Sequence, residues 1–234
     1  MKAGTTLPLD YETWELMKLA ISLQQLTHNA FNVGVAEHMN IFRAAKQGIL
    51  NAFEMNNALA RAQREKEEAR FFLDPVHPKI HCEKTGMQFD MCGIGKGYAL
   101  DQLKQLLKEL EIEIYSINAG ESTVFSKGFK SMDSPWSHTL ATPSVTHKLT
   151  LDNLYISATG TFHQGNHIFD PRIGKNSNVS TYDCLWVAAN NGAYADALST
   201  GLFLLSEAEI ERIVNQDPHI AWVVFSKNGK LNPF

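Results

Sequence analysis

The chain has 234 residues, 44% of them hydrophobic and 20% charged, which indicates one globular domain over residues 1–234 with a substantial core. The net charge is −4, from 21 basic and 25 acidic residues, and the basic residues are scattered, so no nucleic-acid-binding surface is expected. The apolar runs are too short for a membrane span and no signal peptide is evident, so we expect a cytoplasmic protein.

The first third of the chain is predicted to be mainly helical. Residues 11–25 and 49–70 are predicted to be helical, the first from an apolar stripe at helical spacing, and the segment between them that ends near Arg43 is predicted to be a short helix or a loop. Asp74-Pro75 and His77-Pro78 then indicate extended pieces, because the residue before a proline is disfavoured in a helix.

A glycine cluster lies in residues 89–101, which read FDMCGIGKGYALD. Its three glycines, from Gly93 to Gly97, lie between a short apolar run and a helix predicted over residues 98–110. Glycines let the backbone approach a ligand, a helix N-terminus attracts anions, and Lys96 adds a positive charge. The pattern predicts a phosphate site; the alternative is a tight turn that binds nothing. Neither the P-loop motif nor the dinucleotide-binding G-x-G-x-x-G motif is present.

The second half of the chain is predicted to alternate short strands with helices. Four leucines share one face of the 98–110 helix, and we expect this face to be buried against a sheet. They are Leu103, Leu106, Leu107 and Leu110. Strands are predicted at residues 112–118, 122–126, 147–151, 155–157, 167–169, 181–189, 220–226 and 230–234, and helices at 195–205 and 207–215. This order predicts an α+β fold with mixed or antiparallel sheets and packed helices.

Asp196 and Thr200 are four residues apart on a predicted helix, so their side chains share one face. A carboxylate and a hydroxyl there offer the hard oxygen ligands that Mg²⁺ prefers. The alternative interpretation is structural, with Asp196 capping the helix and Thr200 packing within it.

His167 and Asp170 lie where a predicted strand enters a proline–glycine turn. Because imidazole titrates near neutral pH, His167 could accept or steer a proton. The alternative is a structural histidine that bonds a carbonyl of the turn. A zinc pair with His163 is disfavoured, since Gly165 and Pro171 keep the two histidines from sharing a helical turn.

Three of these segments, in this order, resemble the ApbE-like FAD:protein FMN transferases, a flavin transferase family. The segments are residues 89–99, FDMCGIGKGYA; 167–174, HIFDPRIG; and 195–200, ADALST. Two weaker matches are residues 117–121, where Ala119 replaces a glycine, and residues 26–32, where His28 and Asn29 replace Asp-Gly and Asn32 replaces the final Asp.

The resemblance implies an enzyme that uses FAD and Mg²⁺, transfers FMN to a Thr or Ser hydroxyl of an acceptor protein, and releases AMP. It implies contacts with FAD from Ala30, Phe31, Asn32, Asp90, Lys96 and the backbone of Phe169. It implies metal ligands from the Gly93 carbonyl, Asp196 and Thr200. It implies catalytic roles for His167, Asp170 and Lys96, with His167 beside the attacking hydroxyl.

The sequence also departs from the family, which usually carries a further N-terminal segment that covers the flavin and an export signal or lipid anchor. Residues 157–160, SATG, replace the family's A-T-S-G. Two other functions therefore stay open: a non-catalytic FAD-binding or assembly protein, and an FAD pyrophosphatase that yields FMN and AMP. An exposed edge strand would also allow a homo-oligomer.

Overall fold

The computed structural model describes residues 2–131, 134–161, 168–176 and 181–234. The helices in this part of the chain are α1 Tyr11–Leu26, α2 Ala36–Lys46, α3 Ala52–Glu68, α4 Cys92–Glu109, α5 Gly192–Leu202 and α6 Glu207–Gln216. The strands are β1 Thr5–Pro8, β2 Arg70–Leu73, β3 Lys79–Lys84, β4 Tyr115–Ala119, β5 Thr123–Lys127, β6 Phe129–Ser131, β7 Ser134–Pro135, β8 Ser137–Ala141, β9 Thr146–Thr150, β10 Leu154–Gly160, β11 Phe169–Asp170, β12 Lys175–Asn176, β13 Cys184–Ala189, β14 Ile220–Lys227 and β15 Lys230–Pro233.

The central sheet has six antiparallel strands in the order β15-β14-β13-β10-β5-β4. Every residue of β13 is buried, because the helices cover one face of the sheet and the β8–β9 hairpin covers the other. This double burial explains why β13 is a continuous apolar run. Helices packed on antiparallel sheets confirm the predicted α+β class.

Helices α1, α2 and α3 form the N-terminal part with the small antiparallel sheet β1-β3-β2. Their starts follow from local capping: the Asp10 side chain accepts from the Thr13 N–H before α1, and Asn51 and Glu54 form a capping box at α3. The helices predicted in this region are confirmed, with ends that differ by a few residues. No helix in the described ranges has the length and apolarity required to cross a membrane.

Helices α4 and α5 cross at a contact between two glycines. A Cβ atom on Gly97 would lie 1.9 Å from the Gly192 carbonyl oxygen, so neither position has room for a side chain. The carboxylate of Asp101 on α4 accepts hydrogen bonds from the N–H groups of Gly192 and Ala193, at 2.8 and 2.9 Å. It therefore caps α5 from a neighbouring helix.

Two expectations about α4 were wrong. The helix begins at Cys92, not at residue 98, so the glycine cluster forms its first turns and does not connect a strand to a helix; residues 89–91 form no strand. The leucine face does not bury against the sheet, since Leu103, Leu106 and Leu110 are 41%, 49% and 60% exposed. The face towards the sheet carries Leu100.

Candidate functional site

Asp196 lies in the second turn of α5, and its carboxylate faces the start of α4. The residue is 3% exposed. Its Oδ2 accepts a hydrogen bond from the Gly97 N–H at 3.1 Å, and its Oδ1 lies 3.2 Å from the Lys96 ammonium nitrogen. Asp196 does not cap its own helix, because Asn191 and Asp101 do so. The carboxylate therefore joins α5 to the glycine-rich first turns of α4.

Hydroxyl groups from the central sheet hold the other side of the Asp196 carboxylate. Thr123 on β5 and Ser157 on β10 each donate to Oδ1 at 3.2 Å. Ser157 is also linked to Ser199 at 3.2 Å, and Ser199 to Thr159 at 3.0 Å. This hydroxyl network fixes the orientation of the carboxylate with neutral donors and adds no positive charge.

Gly93 and Thr200 approach each other across the same gap between α4 and α5. A Cβ atom on Gly93 would lie 3.6 Å from the Thr200 hydroxyl and 3.3 Å from the Phe31 ring. The Thr200 hydroxyl donates to the Asp196 carbonyl oxygen at 3.3 Å. The Asp196–Thr200 pair and the glycine cluster, which the sequence suggests separately as a metal site and a phosphate site, therefore lie next to each other in the fold.

Lys96 is the mobile charge at this place. Its side chain is 38% exposed, and its aliphatic part passes Gly120, where a Cβ atom would lie 3.7 Å from Cδ of Lys96. The ammonium also donates weakly to the Cys92 carbonyl oxygen at 3.4 Å. The lysine thus reaches Asp196 from the solvent side, at the end of β4.

Asp90 lies just before α4 and shapes its N-terminus. Its carboxylate accepts from the Cys92 N–H at 2.8 Å and lies 3.5 Å from the Arg43 guanidinium. Its own N–H donates to the Val33 carbonyl at 2.7 Å, which ties the segment 30–33 to the same corner. A hydrogen bond to Asp90 and burial raise the pKa of the Cys92 thiol, so this cysteine is not an activated nucleophile.

The segment around Ala30 packs against α5. Ala30 and Phe31 are buried, whereas Asn32 is half-buried and accepts from the Gly34 N–H through its side chain. The Thr27 hydroxyl accepts from the Phe31 N–H at 3.1 Å and holds the turn. Any contact of this segment with a ligand would therefore involve its backbone or Asn32.

The β11–β12 turn forms a second, separate polar cluster. Arg172 binds both carboxylate oxygens of Asp170, at 2.9 and 2.8 Å, and also donates to the Leu204 carbonyl. Phe169 is buried against the ring of His38, with ring centres 4.7 Å apart. Burial, together with the nearby charge of Lys66, lowers the pKa of His38 to about 4. His167 lies outside the described residues.

The structure thus brings together some predicted site residues and separates others. Asp90, Gly93, Lys96, Asp196 and Thr200 border the N-terminal turns of α4, whereas Asp170 is engaged by Arg172. Sequence reasoning missed the hydroxyls of Thr123, Ser157 and Ser199 and the cap from Asp101. Thr123, Ser157 and Asp101 lie on elements that are far from α5 in sequence, so no local pattern identifies them, whereas Ser199 lies on α5 itself.

Solved structures of ApbE proteins have the same fold. The flavin transferase ApbE from Vibrio cholerae superimposes with a TM-score of 0.80 at 21% identity, over 99% of this chain and 77% of that chain. The ApbE protein from Thermotoga maritima gives a TM-score of 0.76 at 22% identity, over 99% of this chain and 78% of that chain. At this level of identity, the likeness establishes the fold.

Sequence comparison leads to the same family. An FAD:protein FMN transferase from Klebsiella pneumoniae is 21% identical over 89% of this chain and 63% of its own length. One from Haemophilus influenzae is 23% identical over 97% of this chain and 70% of its own length. The chain therefore spans about two thirds of the length of these relatives. The model of the ApbE family matches residues 1–224, so the chain belongs to the ApbE family.

Proposed function

We propose that this protein is an Mg²⁺-dependent flavin transferase that moves FMN from FAD to a Thr or Ser hydroxyl of an acceptor protein and releases AMP. Family membership supports the reaction class. The observation that carries the proposal is the convergence of Asp196 and Thr200 with the first turns of α4. Met91 provides no side-chain cap to α4 and Asp90 accepts only the Cys92 N–H, so the positive end of the helix dipole still favours an anion near these first turns.

The residues at this place fit a magnesium ion. Asp196 and Thr200 offer a carboxylate and a hydroxyl oxygen, and Gly93, which the resemblance names for its carbonyl, adjoins Thr200. The donors that hold Asp196 are neutral apart from Lys96, so a cation would compete only with this partly exposed lysine for the carboxylate. When bound, Mg²⁺ would neutralise charge on the diphosphate of FAD.

The reaction balances as a phosphoryl-type transfer. The acceptor hydroxyl oxygen forms a bond to the flavin-side phosphorus, the bond from that phosphorus to the bridging oxygen breaks, and AMP leaves with that oxygen. The contribution of this chain is positioning and charge stabilisation. Lys96 and the N–H groups at the start of α4 would bind phosphate oxygens, and the hydroxyl network would keep Asp196 in one orientation.

The proton of the acceptor hydroxyl needs a base, and we assign that role to His167 from the family resemblance alone. Asp170 we assign to positioning, because Arg172 occupies both of its carboxylate oxygens. Ala30, Phe31, Asn32, Asp90 and Phe169 remain the proposed contacts for the rest of FAD.

The test is incubation of the protein with FAD, Mg²⁺ and an acceptor domain that a characterised flavin transferase can label. We expect in-gel flavin fluorescence on the acceptor and one AMP released per flavin transferred. FMN and AMP without labelling would indicate a pyrophosphatase, and FAD binding without AMP a non-catalytic protein. Either result overturns the proposal, as does the absence of both binding and transfer.

A further inference from the structure

The exposed side of α4 lies beside β4, which is an edge of the central sheet among the strands that the structure describes. Gly97 and Asp101 contact α5, and Leu100 and Lys104 face the sheet. At 100° per residue, the exposed leucines point to the side of α4 opposite α5. Because α5 packs over β10 and β13 and α4 packs over β4 and β5, that side is the β4 edge.

The outer edge of β4 is not paired with any strand that the structure describes. Within the described ranges, β4 pairs with β5 and with no other strand. Its sequence, YSINA, has no charge and no proline, and its pairing with β5 is regular. Edge strands usually carry charges, prolines or bulges that prevent pairing with another chain. We call the outer edge of β4, together with Ala99, Leu103, Leu106 and Leu110, the α4–β4 edge surface.

We propose that a second copy of this chain docks on the α4–β4 edge surface about a two-fold axis, which pairs β4 with β4 and α4 with α4. The apolar stripe of α4, formed by Ala99, Leu103, Leu106 and Leu110, is self-complementary about such an axis. A midpoint between residues 104 and 105 places small Ala99 opposite Leu110, and Leu103 opposite Leu106. A two-fold interface requires this kind of matching, in which each patch contacts itself reversed.

The two-fold axis that the α4 stripe requires and the one that passes through the middle of β4 fall at the same position along the two elements. Lys104, at the middle of the stripe, extends over the Phe125 ring at 4.6 Å. Phe125 pairs with Ile117, which is the middle residue of β4. An antiparallel β4–β4 pair centred on Ile117 would therefore bring the two α4 helices together near residues 104 and 105, which is the midpoint of the apolar stripe.

The spacing of the two helices also fits. Strands lie about 4.8 Å apart, and α4 packs over both β4 and β5, so its axis lies about 5 Å from the two-fold axis. The two α4 axes would then be about 10 Å apart, close to the usual distance for packed helices. Sheet twist over two strand steps turns the helices by about 40–50°, near the commonest crossing angle.

Further apolar side chains extend the surface towards the candidate site. Ile112 and Ile114, which follow α4, are exposed. In the two-fold arrangement they approach the first turns of the other α4, where Lys96 passes Gly120.

The test is sedimentation velocity of the full chain from about 1 to 100 µM, with hydrogen exchange of the β4 amides at both ends of that range. We expect a dimer whose β4 amides are protected at the higher concentration. Leu106→Glu and, separately, Leu110→Glu should raise the dimer dissociation constant at least 100-fold and remove the added protection. Phe53→Glu, an equivalent change at an exposed position of α3, should leave the dimer intact.

Both leucines are exposed, so the variants should keep the wild-type circular dichroism and melting temperature. A chain that stays monomeric at 100 µM would overturn the proposal. A dimer that survives both leucine variants, or one in which the β4 amides exchange as in the monomer, would overturn it as well.

Discussion

Asp196 and Asp170 are both buried aspartates, at 3% and 7% exposure, yet their surroundings differ in kind. Asp170 is bound by both arms of Arg172, which lies two residues further along the same turn. Asp196 is held by two hydroxyls, a backbone N–H and the partly exposed Lys96. The first carboxylate has its charge neutralised within its own turn, and the second is held by donors from three separate elements, α4, β5 and β10.

This difference indicates what each carboxylate can do. A bidentate arginine matches a carboxylate in charge and geometry, so Asp170 is suited to fix the turn against the segment that follows α5, where Arg172 also donates to the Leu204 carbonyl. The hydroxyl donors orient Asp196 without neutralising it, and its one cationic partner among the described residues, Lys96, is partly exposed, so Asp196 is better suited than Asp170 to bind a further cation. Substitution of Asp196 should therefore mainly affect activity, and disruption of the Asp170–Arg172 pair should mainly affect stability.

The largest effect is expected from Asp196→Asn. The amide keeps the shape of the side chain but loses the negative charge, so FMN transfer should fall by about 10²–10³-fold. Transfer is measured by flavin fluorescence on the acceptor at saturating FAD, with circular dichroism to show that the fold is retained. Transfer at the wild-type rate would show that Asp196 does not bind the metal.

Arg172→Ala should act mainly on stability. It leaves Asp170 buried without its partner, and we expect the free energy of unfolding to fall by about 2–3 kcal/mol, less than for a fully buried pair because Arg172 is partly exposed. Urea denaturation measures the change. The control is Arg61→Ala, which removes an exposed pair with Glu65 and should cost less than about 0.5 kcal/mol. Equal losses for the two variants would contradict the comparison.

Some features of these two helices and of the sheet could be predicted from the sequence, and others could not. The pairing of Asp196 with Thr200 follows from helical spacing, and β13 follows from its apolar run. The start of α4 was missed because glycine is a poor helix former, whereas here Gly97 is required by the close contact with Gly192. Helical periodicity showed that the α4 leucines share a face, but it carries no information on whether another element covers that face.

A smaller effect is expected from Ser157→Ala, which removes one hydroxyl from Asp196 and leaves its charge. Because groups that orient a metal ligand typically contribute 10–100-fold to affinity, we expect the Mg²⁺ concentration for half-maximal transfer to rise about tenfold. The rate at saturating Mg²⁺ should change little. Thr159→Val, which acts on Asp196 only through Ser199 and Ser157, should give a smaller rise. An unchanged Mg²⁺ dependence in both variants would exclude a positioning role.

The smallest expected effect is a change of folding stability with pH, which arises from His38 next to the Asp170 cluster. Burial lowers the pKa of His38 from 6.5 to about 4, so the unfolded chain binds the proton more readily than the folded chain between these values. Stability should therefore fall as the pH drops from 6.5 towards 4, by about 1 kcal/mol at pH 5.5 from this group.

His38→Phe tests that origin, because phenylalanine retains an aromatic ring against Phe169 but cannot take up a proton. We expect urea midpoints of the variant to change less between pH 7 and pH 5.5 than those of the wild type. Because His38 lies on the Phe169 side, the same pH change should not alter the effect of Ser157→Ala on Mg²⁺ dependence. If the wild type and His38→Phe lose stability in parallel, the pH sensitivity arises from other groups, and the Asp170 cluster is not its source.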